Sequence, residues 1–428
     1  MKHASWIVPL FLSFLLFLAV SAPAADPLPR TQPESVGLSS ERLDRITQVL
    51  RADIDRGRMP GAVLAIARKG RLAYYESFGY LDKTAGTPMP KDAIFAIASM
   101  TKPMVGVGIM QLVEESRVAM RDPASKWIPA LGKLPVAVVK TDAAGQTIME
   151  TMPAKREMTI HDLLRHTSGL TYGQTGTTPA HKLYPANSAA AGANLTGPEF
   201  IEQLSKAALL HQPGTAWEYG FSTDVLGLVI EAETGQMLGA FLQERLWKPL
   251  GMMDTGFIVP PEKAERYAKA LPNNPDTGKP QTFPDRTRPV KFECGGGCAV
   301  STAADYVRFA QMLLNRGKLG DTRILGAKTV DYMTADHLDA GIQNNVERTD
   351  PTRAGYSFGL TMAVRPATGG PKVMGSPGDY SWAGATGTNF CVDPKEQLVV
   401  VFMAATPGPI RWHYRQVINA LVLAAIVD

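Results

Sequence analysis

Cysteine is scarce in this sequence, and no excess of one charge is present. Three cysteines in 428 residues exclude a disulfide scaffold and a metal site built from four thiolates. The 44 Lys and Arg residues nearly balance the 40 Asp and Glu residues, and no basic run occurs, so a nucleic-acid-binding surface is not expected. The hydrophobic share of 45% is typical of a globular protein with a large core. A chain of 428 residues allows two or three packed units, or one large domain with an insertion.

The first 24 residues have the pattern of a secretory signal peptide. Lys2 and His3 precede an apolar run over residues 6–20, and an Ala-x-Ala sequence follows at residues 22–24. The run is shorter than the ~20 residues that a membrane-spanning helix needs. An uncleaved anchor helix is the alternative. We expect cleavage, a mature chain that begins near Ala25 without a stable membrane span, and export across the inner membrane to the periplasm.

Hydrophobic spacing predicts helices near both ends of the chain and a sheet built from both ends. Helical patterns cover residues 39–56, 99–116, 160–165, 301–314 and 414–426. Strand patterns cover residues 62–68, 71–80, 356–364, 382–392 and 398–404, with a hairpin turn at residues 69–70. Residues 172–197 and 272–289 are loop-like. We therefore expect an α/β (α+β) domain over residues 25–428, with an α/β part at about 25–108 and 290–428 and a helical subdomain at about 109–289.

The strongest local motif is S-x-x-K, formed by Ser99 and Lys102. It follows an apolar run and opens a helix, where Pro103 suits the first turn. Residues three apart lie on one helix face. A serine hydroxyl becomes a strong nucleophile only when a neighbouring base takes its proton, and a lysine in a dry pocket can be that base. The pair therefore indicates nucleophilic catalysis, although so short a pattern also arises by chance.

Two further segments complete a possible site. Tyr219 lies in a turn just before a predicted helix, where it can share proton transfer with Lys102 or simply pack against the core. Residues 381–387, SWAGATG, open a strand with small residues beside which a substrate could lie. A backbone N–H from this strand and that of Ser99 could form an oxyanion hole.

The cysteines have two interpretations. Cys294 and Cys298 flank three glycines and could close a small disulfide in an oxidising compartment. The interpretation as two small buried residues beside a glycine turn is slightly favoured. Cys391 lies in an apolar strand-like run and is expected in the core.

Together these segments resemble the serine β-lactamase and penicillin-binding-protein superfamily, most closely its class C-like members and the family VIII carboxylesterases. The likeness also rests on TIHDLLRHTSGL at residues 159–170 and on GGG at 295–297 followed by VSTAAD at 300–305. It implies a β-lactamase/transpeptidase-like fold, an antiparallel sheet flanked by helices with an inserted helical subdomain, and a site in the cleft between them. It implies Ser99 as the acylated nucleophile, Lys102 as its base and Tyr219 as the third catalytic residue. The resemblance gives His161 and His166 structural roles and implies no metal or other cofactor.

Two departures from the family pattern affect the expected substrate. Phe221 stands where β-lactamases have an Asn, with Ser222 one residue later. Trp382 stands where β-lactamases have the lysine of K-T-G, the cation expected to meet a substrate carboxylate. Esterases of the superfamily show W-x-G here. Phe221, Ser222, Trp382, Gly384 and Ala385 are the expected substrate-binding and oxyanion residues.

The resemblance therefore favours hydrolysis of a small-molecule carboxylic ester or amide, with esters first. The alternatives are a class C-like β-lactamase, a D-Ala-D-Ala carboxypeptidase or an acyltransferase. A protein that binds cell-wall peptide without turnover is an alternative of another class. The sequence leaves the physiological substrate and the oligomeric state open.

Overall fold

The computed structural model describes Met1, residues 26–368 and residues 370–428. The predicted signal peptide at residues 1–24 lies, apart from Met1, outside the described residues. The helices are α1 (Ser40–Asp55), α2 (Thr101–Glu114), α3 (Ile160–Leu164), α4 (Ser188–Asn194), α5 (Gly197–Ser205), α6 (Ser222–Thr234), α7 (Leu238–Leu242), α8 (Ala303–Leu314), α9 (Ala327–Met333), α10 (Val346–Thr349) and α11 (Ile410–Ala424).

The strands form one large sheet and three short ribbons. They are β1 (Gly61–Arg68), β2 (Arg71–Asp82), β3 (Thr87–Pro88), β4 (Phe95–Ala96), β5 (Val136–Thr141), β6 (Thr147–Met152), β7 (Val300–Ser301), β8 (Lys318–Leu319), β9 (Thr322–Arg323), β10 (Ser357–Phe358), β11 (Ala363–Val364), β12 (Tyr380–Ala383), β13 (Asn389–Asp393) and β14 (Leu398–Ala404). The large sheet has the order β10-β11-β12-β13-β14-β1-β2-β3, and its neighbours pair antiparallel. The ribbons are β4–β7, β5–β6 and β8–β9.

The two ends of the chain meet in the middle of this sheet. Strand β1 pairs with β14, so that Ala62 faces Ala404 and Arg68 faces Leu398. Both strands are buried along their whole length because helices cover both faces. One face packs against α1 and α11, which contribute residues such as Leu50 and Ile418. The predicted antiparallel sheet with flanking helices is therefore confirmed.

The predicted N-terminal elements agree with the structure. Helix α1 begins after Ser39, whose side chain accepts a hydrogen bond from the Arg42 N–H at 3.3 Å. The β1–β2 hairpin turns at Lys69 and Gly70, both with positive φ, as a tight hairpin requires. Two predicted C-terminal strands were wrong because each contains a turn. Thr361, at φ 66°, separates β10 from β11, and Gly387, at φ 113°, lies between β12 and β13.

The middle of the chain also differs from the prediction in one respect. It is largely helical and irregular, but β5 and β6, of six residues each, form an exposed hairpin that the sequence pattern did not indicate. Most of its residues are exposed or only partly buried, so its sequence shows no clear hydrophobic alternation. Within residues 26–368 and 370–428, no single helix is long and apolar enough to cross a membrane. One bent pair, Ser222–Thr234 with Leu238–Trp247, meets that requirement by length and composition.

Candidate active site

Ser99 lines a cleft of about 1190 Å³ and lies in the tight turn that leads into α2. The turn is held by its neighbours: the Thr101 hydroxyl donates to the Ala98 carbonyl at 2.7 Å and accepts from the Ala299 N–H at 3.1 Å. Ala98 has a φ of 42°, a strained value for a residue with a Cβ atom. This geometry sets the partly exposed Ser99 side chain at the cleft wall while Met100, the next residue, is buried.

Lys102 lies three residues after Ser99, in the first turn of α2, and is fully buried. Its Nζ donates to the Gly296 carbonyl at 2.6 Å and to the Tyr172 hydroxyl at 3.1 Å. The same Nζ lies 4.5 Å from the centre of the Tyr219 ring. These two bonds use both N–H donors of a neutral amine, which leaves its lone pair to accept a proton, whereas the ammonium form has a third donor for a substrate or a neighbouring hydroxyl. Within the described residues, the Ser99 hydroxyl itself makes no hydrogen bond of standard geometry; catalytic hydrogen bonds often tighten only when substrate binds.

Tyr219 is held in the cleft by aromatic neighbours. Its ring stacks on Trp217 at 5.7 Å and lies 5.0 Å from the His166 ring. The Trp382 indole N–H donates to the Tyr219 hydroxyl at 3.3 Å. The structure thus brings Ser99, Lys102, Tyr219 and Trp382 together from three separate parts of the chain.

A chain of hydrogen bonds runs from Lys102 into the core. The Tyr172 hydroxyl accepts from Lys102 and lies 2.7 Å from the Ser188 hydroxyl, which donates to the Asp224 carboxylate at 2.8 Å. Because Ser188 gives its proton to Asp224, Tyr172 must donate to Ser188. The other Asp224 oxygen accepts from the Gly296 N–H at 3.0 Å. Lys102, Tyr172, Ser188, Asp224 and Gly296 are called the cleft floor below.

Burial sets the charges of the cleft floor. It raises the pKa of the Asp224 carboxyl to about 6, while the Lys102 charge and the Ser188 and Gly296 hydrogen bonds oppose the rise. Burial also raises the pKa of the Tyr172 hydroxyl well above its usual value, with the Asp224 charge acting in the same direction. Tyr172 is therefore a neutral donor at pH 7, and Asp224 is the anion that balances the buried lysine.

Sequence reasoning missed Tyr172, Ser188 and Asp224. Tyr172 follows the TIHDLLRHTSGL stretch by two residues, and Asp224 lies in the first turn of α6, five residues after Tyr219. Asp224, directly before the apolar run at residues 225–230 of α6, was the available signal, because a charged residue among buried positions needs a partner.

Two of the predicted substrate-binding residues lie in the core. Phe221 is fully buried and packs edge-on against the Tyr172 ring at 4.6 Å and against Phe200 at 5.0 Å. Ser222 is also fully buried, with its hydroxyl 2.8 Å from that of Ser168. Neither residue lines the cleft, so both expectations are corrected: Phe221 packs against Tyr172 of the floor, and Ser222 pairs with Ser168 in the core.

The segment at residues 382–385 does reach the cleft. Trp382 and the exposed Ala385 line it. Gly384 allows the close approach to the Ser99 turn, because a Cβ there would lie 2.4 Å from the Ile97 carbonyl oxygen. The hydroxyls of Thr386 and Thr388 donate to the carbonyls of Ala96 and Ile97 at 2.5 and 3.2 Å. Residue 385 is thereby held beside the turn that carries Ser99.

A small disulfide shapes the loop that contacts Lys102. Cys294 and Cys298 are bonded, so the favoured interpretation of two unpaired cysteines was wrong, although both are buried as expected. The disulfide closes the loop that carries Gly296, whose carbonyl and N–H both belong to the cleft floor. Cys391 is unpaired in β13, and burial raises the pKa of its thiol well above the usual value.

The two histidines of the TIHDLLRHTSGL stretch contact other side chains rather than the cleft. His166 is fully buried, and burial together with the Lys102 charge lowers its pKa well below the usual value. The His161 ring nitrogen lies 3.0 Å from that of His337. Across the described ranges, no group of three or more His, Cys, Asp and Glu side chains is arranged to hold a metal ion.

Comparisons with known proteins place this geometry in a family. The sequence model of the family described as Beta-lactamase matches residues 46–423. Protein Rv1367c of Mycobacterium tuberculosis is 35% identical, over 84% of this chain and 89% of that protein. Esterase EstB of Burkholderia gladioli is 28% identical, over 88% and 95%. A putative D-alanyl-D-alanine carboxypeptidase of Escherichia coli is 26% identical, over 93% and 90%.

Solved structures show the same fold. EstCE1, described as a hydrolase with promiscuous acyltransferase activity, superposes with a TM-score of 0.71 at 24% identity, covering 89% of this chain and 98% of that one. The simvastatin synthase LovD of Aspergillus terreus superposes with a TM-score of 0.75 at 22% identity, covering 90% and 99%. At these identities the likeness establishes the fold alone.

Proposed function

The chain belongs to the β-lactamase family and is a serine hydrolase, and we propose that it cleaves carboxylic esters through an acyl intermediate on Ser99. The observation that carries the proposal is the placement of Trp382. Its indole donates to Tyr219 and forms part of the cleft wall, in the position where the family's β-lactamases have a lysine. An indole cannot form an ion pair with the carboxylate of a penicillin or a peptide C-terminus.

The proposed reaction begins with attack of the Ser99 hydroxyl oxygen on the ester carbonyl. The neutral amine of Lys102, with Tyr219 beside it, accepts the hydroxyl proton and becomes an ammonium. The resulting oxyanion is stabilised by the backbone N–H groups of Ser99 and Ala385, and the closeness of residue 385 to the Ser99 turn supports this pairing. The alcohol departs with a proton from the Lys102–Tyr219 pair. Water activated by the same pair then releases the acid.

The cleft floor supports this role for Lys102. Its amino group is buried against one carbonyl and one hydroxyl, and the Asp224 carboxylate, linked through Tyr172 and Ser188, balances the charge that the amine gains with the proton. Such an arrangement keeps the lysine fixed below Ser99 and excludes water from one side of it. A protein that only bound peptide would need neither a buried lysine nor a nucleophile above it.

The second candidate is a D-Ala-D-Ala carboxypeptidase or a class C-like β-lactamase. The likeness to the Escherichia coli protein named as a putative carboxypeptidase favours it. Against it stands Trp382, which replaces the lysine that the family's β-lactamases have at that position for the substrate carboxylate.

The deciding experiment compares turnover of p-nitrophenyl butyrate and nitrocefin by the wild type and by Ser99→Ala. We expect ester turnover that is lost in Ser99→Ala, with little nitrocefin hydrolysis. Nitrocefin turnover well above ester turnover would contradict the proposed ester hydrolysis and favour the second candidate. Absence of turnover of either substrate, in a folded protein, would favour a narrow peptidase or a binding protein.

We also propose that the chain is exported and cleaved near Ala24. The small Cys294–Cys298 disulfide supports this, because disulfides persist in oxidising compartments. Mass spectrometry of the mature protein from a periplasmic extract should give an N-terminus near Ala25. An intact N-terminus in the cytoplasmic fraction would contradict the proposal.

A further inference from the structure

Arg286 is a buried cation without a partner in the wall of the cleft. Only 4% of the residue is exposed, yet it lines the same cleft as Ser99. Its Nε is buried and has no hydrogen-bond partner. Within residues 26–368 and 370–428, its side chain forms no ion pair either. Since an arginine keeps its charge in proteins, this is an expensive arrangement that an anion would relieve.

The backbone holds Arg286 beside the strand that leads to the nucleophile. Its carbonyl accepts from the Val259 N–H at 2.8 Å. Val259 packs in one small cluster with Ala96 of β4, three residues before Ser99. Ala96 lines the same cleft. Arg286 is therefore set in the wall that borders the nucleophile rather than at a remote edge.

The carboxylates around the cleft already have partners. Asp285, the neighbour of Arg286, lies 3.3 Å from the exposed Arg288 and accepts from the Thr287 hydroxyl at 2.6 Å. Asp350 is paired with Arg353 and Arg415 at 3.1 and 2.8 Å.

One more carboxylate and two more arginines line the cleft, and they complete the count of its charges. Glu218 accepts from the Thr171 hydroxyl at 2.8 Å and lies 3.6 Å from His211. Arg348 and Arg411 also line the cleft, and neither has an ion pair among the described residues. The charge left unbalanced in the cleft is therefore positive, so the cleft favours an anionic ligand.

We propose that Arg286 binds a carboxylate of the substrate, so that the preferred esters are anionic ones. The guanidinium donates two parallel hydrogen bonds to the carboxylate, away from the ester bond that Ser99 attacks. Arg286 is thus a specificity-determining residue, and the neutral Trp382 at the K-T-G position does not make the cleft apolar throughout. This proposal rests on the ester hydrolysis proposed above.

The test uses two matched pairs of esters, since the carboxylate can lie on either side of the ester bond. The acyl-side pair is mono(4-nitrophenyl) suberate and its methyl ester. The alcohol-side pair is 4-(butyryloxy)benzoate and its methyl ester. The ratio of kcat/KM for the anionic to the neutral member is measured for the wild type, Arg286→Gln and Arg288→Gln. Arg288 is the matched control, because it is exposed and two residues away.

We expect the wild type to prefer the anionic member of one pair. In Arg286→Gln that ratio should fall about tenfold, through a higher KM, while Arg288→Gln retains it. Turnover of the neutral ester by Arg286→Gln shows that the variant is folded. A wild type that prefers neither anionic ester, or an unchanged ratio in Arg286→Gln, would overturn the proposal.

A measurement on the wild type alone covers the case in which Arg286→Gln does not fold. Suberate should inhibit turnover of the neutral ester competitively and more strongly than suberamide, its uncharged analogue. Equal inhibition by the two would overturn the proposal. If the wild type hydrolyses neutral esters without an anion preference, only this inference fails; if it hydrolyses no ester, the proposed function fails and this inference with it.

Discussion

The floor and the wall of the cleft differ in whether their buried charges have hydrogen-bond partners. In the floor, Lys102 and Asp224 are buried but linked through Tyr172 and Ser188, so each charge has hydrogen-bond partners. In the wall, Arg286 is buried almost as deeply and its side chain has no partner among the described residues. A hydrogen-bond network in which every group has a partner is rigid and keeps its geometry without ligand. A buried charge without a partner is instead suited to bind a ligand of opposite charge. Under the two proposals above, the floor performs the chemistry and Arg286 selects the substrate.

Replacing Lys102, the cation of the floor, should reduce activity more than the substitutions described below. Lys102→Ala takes away the base below Ser99 and leaves Asp224 buried without its balancing charge. We expect kcat/KM for p-nitrophenyl butyrate to fall roughly 10²- to 10⁴-fold, with a lower Tm. Lys206→Ala, an exposed lysine paired with Glu202, is the control and should retain both values. Turnover of Lys102→Ala within a few-fold of the wild type would show that Lys102 is not the base.

Breaking the hydrogen-bond chain at Tyr172 should have the next largest effect. Tyr172→Phe removes one acceptor of Lys102 and the donor to Ser188, so kcat should fall about 10²-fold with little change in KM. Tyr184→Phe is the matched control, since Tyr184 also packs near Phe221 but its hydroxyl donates to the Ala208 carbonyl. Equal effects of the two substitutions would mean that Tyr172 acts only through packing.

The charge of Asp224 should set the acidic limb of the pH profile. Its pKa is raised to about 6, so Asp224 gains a proton, and the floor loses its anion, as the pH falls below that value. At pH 5 the wild-type kcat/KM should be about a tenth of its plateau. His166 cannot produce this limb, because its pKa is lowered well below the usual value and it stays neutral.

The variant that checks this assignment is Asp224→Asn, which should have lower activity and no limb near pH 6. His211→Gln, a change in the cleft wall, should retain the limb. A limb that persists in Asp224→Asn and disappears in His211→Gln would place the titrating group in the wall instead of the floor.

Removing the Cys294–Cys298 disulfide should reduce activity the least. Replacing Cys294 and Cys298 together by Ser opens the five-residue loop that positions Gly296. We expect the free energy of unfolding to fall by about 2 kcal/mol and kcat to fall a few-fold, since Gly296 still contacts Lys102 but is less fixed. Denaturant unfolding and steady-state kinetics measure both. Cys391→Ser should change neither value. Identical values for the two variants would mean that the disulfide does not help to position Gly296 in the floor.

The local elements with strong patterns were predictable. Helix α1 has its cap at Ser39 and its apolar residues on one face, and the β1–β2 hairpin has Lys69-Gly70 at its turn. The predictions failed where one apolar run contained a turn, as between β12 and β13. There the positive φ of Gly387 ends one strand and begins another, although hydrophobicity is continuous. Periodicity reports burial and not the direction of the chain.

The sequence by itself determined the family, the nucleophile motif and the order of the segments, because S-x-x-K, the tyrosine element and W-x-G are contiguous patterns. Only the tertiary structure decided what surrounds Lys102, which of the neighbouring residues face the cleft and which cations lack partners. Phe221 and Tyr219 are two residues apart, yet one lies in the core and the other at the cleft. Contacts such as Lys102 with Gly296, or Tyr172 with Ser188 and Asp224, join residues far apart in the chain. They depend on packing rather than on any local spacing.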